Sequence, residues 1–318
     1  MEELGFQNRR NFIGKILGGF AALFTLSSFS FLSKKNSKTT KITVLHTNDM
    51  HSHIDPFESN DKHFPNKGGM VRIASLIKRI RQEEEHVILL DAGDVFQGTP
   101  YFNMFKGEVE YKLMSAMQYD ASTLGNHDFD NGLEGFNNML PHANFPFICS
   151  NYDFENTILK DKTIKYKILK KGNLKIGIFG IGIKLEGLVT KDLYNETQYL
   201  NPYTTANHYA EFLKEKKKCN LVLCLSHLGY NYEDDKKESD INLAQNTKNI
   251  DLIIGGHTHT FLNQASVHKN LIGNAVLVNQ AGWGALSLGR IDFYFDKKNS
   301  QRIDLDANTN ITKNYAKI

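Results

Sequence analysis

An α/β fold is predicted by three features of the 318-residue sequence. Short runs of β-branched and apolar residues recur along the chain, segments with apolar residues at helical spacing separate them, and five runs end directly in clusters of Asp, Asn or His. Apolar runs of about four to eight residues read as buried strands, and their alternation with helices reads as a sheet covered by helices. Polar clusters at the carboxyl ends of strands are where such folds assemble ligand sites.

Ile42, Val44 and Leu45 mark the first strand, which delivers Asn48-Asp49-Met50-His51-Ser52-His53. Residues two apart in extended backbone face the same way, so Asp49 and His51 are expected to converge on one point. Residues 55–67, with Pro, Asn, Asp and Ser, form a surface loop. Apolar residues at 70, 71, 73, 74, 76, 77 and 80, with Arg and Lys opposite, predict a helix over 68–85. Val87 to Leu90 form the second strand and lead into Asp91-Ala92-Gly93-Asp94, where the glycine lets backbone approach a ligand closely. A helix over about 106–118 precedes a short strand, 121–124, that delivers Gly125-Asn126-His127-Asp128-Phe129-Asp130. Asp128 reads as a helix-start residue, since a helix follows over 133–140.

Strands are expected at 145–150, 165–169 and 174–181, the last two joined by a turn at Lys171-Gly172-Asn173. A helix over 204–218, whose lysine run is a solvated face, feeds a strand at 221–225 that ends in Ser226-His227-Leu228-Gly229. A short helix at 241–246 precedes the strand 251–254, which runs into Gly255-Gly256-His257-Thr258-His259. Strands at 275–278 and 286–295, around Gln280-Ala281-Gly282-Trp283-Gly284, close the domain. The folded domain is therefore expected over 41–298, and 299–318 reads as a polar C-terminal tail.

The first residues are set apart from that domain. Residues 16–33 form an uncharged apolar run after Lys15, of the length of a signal-peptide core and marginal for a membrane span. Asn8-Arg9-Arg10-Asn11-Phe12-Ile13-Gly14-Lys15, just before it, resembles a twin-arginine export signal. Residues 1–33 are thus expected to export the chain to the periplasm or the outer face of the cytoplasmic membrane, and an uncleaved segment would tether it there. Residues 34–40 are a polar linker. The formal net charge of +3, set against 35 acidic residues, carries no nucleic-acid footprint. Three cysteines, Cys149, Cys219 and Cys224, are odd in number and contain no Cys-x-x-Cys pair, which argues against a disulfide framework and reads as buried thiols.

The five strand-end clusters hold Asp49 and His51, Asp94, Asn126 and His127, His227, and His257 and His259. A single Asp-x-His is common on solvated loops; five clusters on five strands argue for one constellation. Four histidines, two carboxylates and an amide oxygen, without thiolates, suit zinc, manganese, iron or cobalt better than calcium or magnesium. Seven ligands exceed one tetrahedral zinc and fit two divalent ions about 3.5 to 4 Å apart that share a carboxylate. Their excess positive charge would attract a phosphate group.

Leu45-His46-Thr47-Asn48-Asp49-Met50-His51, Asp91-Ala92-Gly93-Asp94 with Gln97-Gly98-Thr99-Pro100, the hexapeptide from Gly125 to Asp130, Leu225-Ser226-His227-Leu228-Gly229 and Gly255-Gly256-His257-Thr258-His259 resemble, in order, the motifs of the bacterial 5′-nucleotidase and UDP-sugar hydrolase family of calcineurin-like metallophosphatases. Gln280-Ala281-Gly282-Trp283-Gly284 and Leu288-Gly289-Arg290-Ile291-Asp292 are similar to that family as well.

This resemblance implies a four-layer α/β/β/α sandwich of two mixed sheets around a dinuclear metal centre. It implies that Asp49, His51 and His259 bind one ion and Asn126, His227 and His257 the other, with Asp94 bridging. His127 would act on the phosphate without binding metal, supported by Asp130. The implied reaction is hydrolysis of phosphate monoesters, 5′-nucleotides foremost, by in-line attack of a metal-bound hydroxide. A 2′,3′-cyclic phosphodiester, a nucleotide sugar or a sulfur ester is the alternative substrate, and a partner-binding subunit the alternative role. Members continue into a second domain that stacks the base and holds the phosphate with arginines. This sequence stops at Ile318, so a separate substrate-binding chain, or broad specificity, is expected. His46 has no assigned role, and His53, His63, His86, His142, His208 and His268 are expected to be structural or superficial.

Overall fold

The computed structural model describes residues 38–306 apart from residue 235. The chain divides into two units, Met1–Thr40 and Lys41–Ile318, and the second carries both large sheets and the helices that cover them. The expected export segment and most of the linker lie outside the described residues. Among the described residues no helix is long and apolar enough to cross a membrane.

Among the described residues thirteen strands follow one another: β1 (Thr39–Thr47), β2 (Val87–Asp91), β3 (Ala121–Ser122), β4 (Tyr152–Asp153), β5 (Tyr166–Lys171), β6 (Leu174–Ile181), β7 (Gln198–Tyr199), β8 (Leu221–Ser226), β9 (Leu252–Ile254), β10 (Ser266–Lys269), β11 (Ala275–Asn279), β12 (Gly289–Asp296) and β13 (Arg302–Asp306). One sheet has the order β13-β12-β1-β2-β3, a second β10-β11-β9-β8-β6-β5, and β4 pairs with β7 alone. Both large sheets are mixed. In the first, β1, β2 and β3 are parallel and β13 runs antiparallel to β12. In the second, β6, β8, β9 and β11 are parallel, with β5 and β10 antiparallel at the edges.

The layers follow from strand alternation. Ile42, Val44, Ile88 and Leu90 of the first sheet share a core with Ile176, Ile178, Leu221, Leu223, Leu225, Leu252 and Ile254 of the second. This is the seam between the sheets. The opposite face of the first sheet, through Leu45, Val87 and Leu89, packs on Met70, Ile73, Ile77 and Ile80 of the helix Met70–Glu83 and on Tyr111 and Met114 of Glu108–Ala116. The outer face of the second, through Phe179, Val222, Cys224 and Ile253, packs on Ala206 and Ala210 of Pro202–Glu211 and Leu243 of Asp240–Gln245. The four-layer α/β/β/α sandwich is thereby formed, and all three cysteines are free and buried within it.

Several elements depart from the expected bounds. The run at 145–150 makes only isolated bridges at Phe147 and Ile148, because Pro146 has no N–H for a ladder. The helix expected over 106–118 is Glu108–Ala116, and a short helix that was not expected, Pro100–Phe105, precedes it, the two separated where Lys106 and Gly107 take φ of 58° and 109°. The helix expected over 204–218 becomes Pro202–Glu211 followed by a π-helical turn, Phe212–Lys216. Part of the expected tail, Arg302–Asp306, is β13, paired on β12.

Candidate metal centre

Five strands present their carboxyl ends to one region, and the loops leaving them carry the predicted ligands. Asp49, His51 and His259 form one group and Asp94, His227 and His257 a second, each with candidate ligand atoms within 4.8 Å of one another. The groups interlock. Asp94 Oδ2 lies 3.0 Å from His227 Nε2 and 3.9 Å from His51 Nε2, and Asp49 Oδ1 lies 3.4 Å from His259 Nε2 and 3.9 Å from His227 Nε2. Asn126 joins the second group, its Oδ1 2.8 Å from His257 Nδ1. His127 stands outside both, its ring 5.3 Å from that of His51 and its Nδ1 2.8 Å from Asp130 Oδ2.

The backbone that brings these residues together is not extended. Asp49, His51, Asp94, His257 and His259 all have positive φ, between 47° and 73°. Asp49 and His51 converge because the chain turns left-handed at each, not because two strand residues share a face. Such conformations cost about 1–3 kcal/mol each for non-glycine residues and persist only where surrounding contacts hold them. Here Asp49, His51 and Ser52 donate backbone N–H bonds to the carbonyls of Gly93, Asp94 and Val95, which straps the first loop to the second. Gly125 and Gly256 are required by closeness: a Cβ at Gly125 would overlap Asp94 Oδ1 and His227 Nε2, and one at Gly256 would stand 2.8 Å from His227 Nδ1.

Side chains behind the ligands fix their orientation. His227 Nδ1 donates to Ala92 O at 2.6 Å and His51 Nδ1 to Phe96 O at 3.2 Å, which turns each Nε2 inward. Asn48 donates to Asp49 Oδ2 and Gly282 O, both at 2.6 Å, while its Oδ1 accepts from Ala281 N. Asp128 is buried and accepts the N–H groups of Asp94, Val95 and Gly125 at 2.9, 3.1 and 2.8 Å. It is therefore no helix-start residue: it clamps the Asp94 loop to the Asn126 loop. Asp240 accepts from Ser226 Oγ at 2.6 Å and Gln280 Nε2 at 2.9 Å beneath His227. Asn48 and Asp128 sit inside the motifs, where their carboxamide and carboxylate were visible. Asp240 carries no sequence signal, because only the fold brings its short helix under the site.

Burial and mutual charge set the electrostatics. Burial would strip the proton from His227, but the Asp94 carboxylate outweighs it and holds the imidazolium up to about 10. Burial pushes Asp94 up, yet the charge of His227, with those of His51 and His127, keeps it below the usual carboxylate range. His257 is pushed down to about 4 by burial and by His227. Burial raises Asp128 to about 7, the Asp94 charge adding to it, and raises Asp240 to about 7. His127 is raised, chiefly by its bond to Asp130.

These residues fit divalent cations. His227 Nε2 is buried without a hydrogen bond, although Asp94 Oδ2 is only 3.0 Å away. Two donor atoms close but unaligned are what a shared ion would draw together. The Nε2 atoms of His51 and His259 likewise face each other at 3.0 Å. Nitrogen and oxygen donors without thiolate match borderline first-row ions.

Comparison with known proteins agrees with this geometry. A family model described as calcineurin-like phosphoesterase matches residues 42–261. A snake venom 5′-nucleotidase of Crotalus adamanteus is 33% identical over 283 residues, covering 81% of this chain and 46% of that protein. The trifunctional nucleotide phosphoesterase protein YfkN of Bacillus subtilis is 33% identical over 83% of this chain and 19% of its own length. The crystal structure of a 5′-nucleotidase precursor from Thermus thermophilus superimposes with a TM-score of 0.76 at 30% identity, over 85% of this chain and 54% of that one. The chain thus spans less than half the length of these two curated relatives. With a family model matching most of its length and two interlocked groups of candidate metal-ligand residues at its strand ends, the chain belongs to the calcineurin-like phosphoesterase family.

Proposed function

We propose that this chain hydrolyses phosphate monoesters, 5′-nucleotides foremost, with two divalent cations, zinc or manganese, as cofactors. The observation that carries the reading is the pair of interlocked ligand groups with the His127–Asp130 pair beside them. Asp49, His51 and His259 would hold one ion and Asn126, His227 and His257 the other. Asp94, whose Oδ2 approaches histidines of both groups, would be shared. When bound, the two ions supply positive charge to the phosphoryl oxygens and lower the pKa of water.

The remaining work falls to the chain itself. His127 is half-exposed and therefore accessible to an incoming ester. Asp130 accepts its Nδ1–H, fixing the ring and favouring the imidazolium, so that Nε2 is left to donate a proton to the departing alkoxide. The His127 backbone N–H is bonded to Asp94 Oδ1 at 2.8 Å, which ties the acid to the ligand cradle. Similarity to a protein named as a trifunctional nucleotide phosphoesterase favours a second reading, a broader nucleotide phosphoesterase. The twin-arginine-like segment supports export beyond the cytoplasmic membrane.

Purified protein supplied with manganese or zinc should release phosphate from AMP and lose that activity on chelation. Release undiminished by chelation overturns the metal reading. Failure on AMP with turnover of a nucleotide diester would favour the second reading.

A further inference from the structure

Beside the Asp49–His51–His259 group stands an aromatic wall that the ligand assignment does not use. Trp283 lies parallel to the His259 ring, with centroids 5.4 Å apart and 11° between planes. Phe57 and Phe64 meet the tryptophan edge-on at 5.3 and 6.4 Å, and Phe64 meets Phe261 at 6.0 Å. The wall is preorganised. Gln280 Oε1 accepts from Thr258 Oγ1 and Thr260 N, both at 3.1 Å, and Phe261 bridges to Ala281 with its ring where a Cβ on Gly282 would stand. Phe57, Phe64 and Trp283 are partly covered by one another, but Phe261, two residues beyond ligand His259, is 42% exposed.

We propose that Phe261 and Phe64, backed by Trp283, form a stacking shelf for the organic part of the substrate, selecting esters whose leaving group carries a planar aromatic ring such as a nucleobase. The inference rests on the phosphoesterase reading above. An ester held by its phosphoryl group must direct the rest of the molecule outward past the ligand loops, and on this side the loop beyond His259 presents the exposed Phe261 ring. Ring faces attract other ring faces and tolerate different bases, so the shelf favours a class of leaving group, not one member of it.

Trp283 is the only tryptophan of the chain, which gives a readout independent of turnover. Adenosine, which has no phosphate, should quench its fluorescence in the wild-type protein, and Phe261→Ala should weaken that binding about tenfold or more. With AMP the same variant should raise KM by a similar factor at nearly constant kcat, while the constants for glycerol phosphate stay unchanged and Phe261→Tyr behaves as wild type. Equal effects on AMP and glycerol phosphate, or no adenosine binding by the wild-type protein, overturn the shelf alone. Absence of ester hydrolysis by the wild-type protein, with adenosine still bound, overturns the phosphoesterase reading and leaves a nucleoside-binding surface.

Discussion

Replacing Asp128 by alanine tests how the site is held together. Its two carboxylate oxygens accept three backbone N–H groups, from Asp94, Val95 and Gly125, and the side chain is buried. Alanine leaves all three donors without a partner, in a region closed to water. An unsatisfied buried donor costs about 1–3 kcal/mol, so the loss should reach at least about 3 kcal/mol. Relief of repulsion between Asp128 and Asp94 offsets a part of this, without restoring any donor's partner. A loss of about 3 kcal/mol corresponds to a fall in melting temperature of about 6 °C or more. Asp128→Asn retains one carbonyl oxygen and should lose less. Metal content should fall with stability in the alanine variant, because the freed loops carry Asp94 and Asn126. Urea unfolding and metal analysis on both variants provide the measurement. An alanine variant with wild-type stability and full metal content would refute the clamp.

The proposed role of the His127–Asp130 pair predicts a different pattern. His127→Ala should lower turnover by about two to four orders of magnitude with metal content unchanged, whereas loss of metal would make His127 a ligand. Asp130→Asn removes the main influence raising the His127 pKa, so the alkaline limb of the pH–rate profile should move to lower pH. Away from the site, Arg290 bonds Glu84 and Asp292, both at 2.8 Å, and Lys41 bonds the same two carboxylates at 2.8 and 2.9 Å. Arg290→Met should cost about 1–3 kcal/mol, between the values for exposed and buried pairs. Burial raises the Asp292 carboxyl, but its bonds to Arg290 and Lys41 outweigh that and depress it. Its contribution is therefore present above the ordinary aspartate pKa of about 4 and is lost as pH falls through the depressed value. Acid unfolding should begin at higher pH in the variant.

The core strands and the candidate ligand residues were legible because both are local signals. β2, β8 and β9 are apolar on both faces, as strands between a second sheet and a helix layer must be, β1 carries Ile42, Val44 and Leu45, and their polar ends broke that pattern abruptly. What the sequence hid depends on partners far along the chain. Asp240 underlies His227 only after the helix Asp240–Gln245 packs on the second sheet, and Asn48 reaches Gly282 across 234 residues. Left-handed turns at Asp49 and His51 were unreadable, since neither residue type demands them. β13 has only two apolar residues, Ile303 and Leu305, alternating with Arg302, Asp304 and Asp306, too short a pattern to mark a strand, and every residue of it lies on the surface. Arg302 instead gains its partner from Asp251, at 2.8 Å.

In the proposed reaction two dications and this set of candidate ligands act together on a phosphate ester. Chelated protein titrated with manganese should regain phosphate release from AMP along a curve that saturates at two equivalents per chain, and Asp94→Ala should fail to reach that plateau. Full turnover in the chelated protein, or wild-type metal content and turnover in Asp94→Ala, would contradict it.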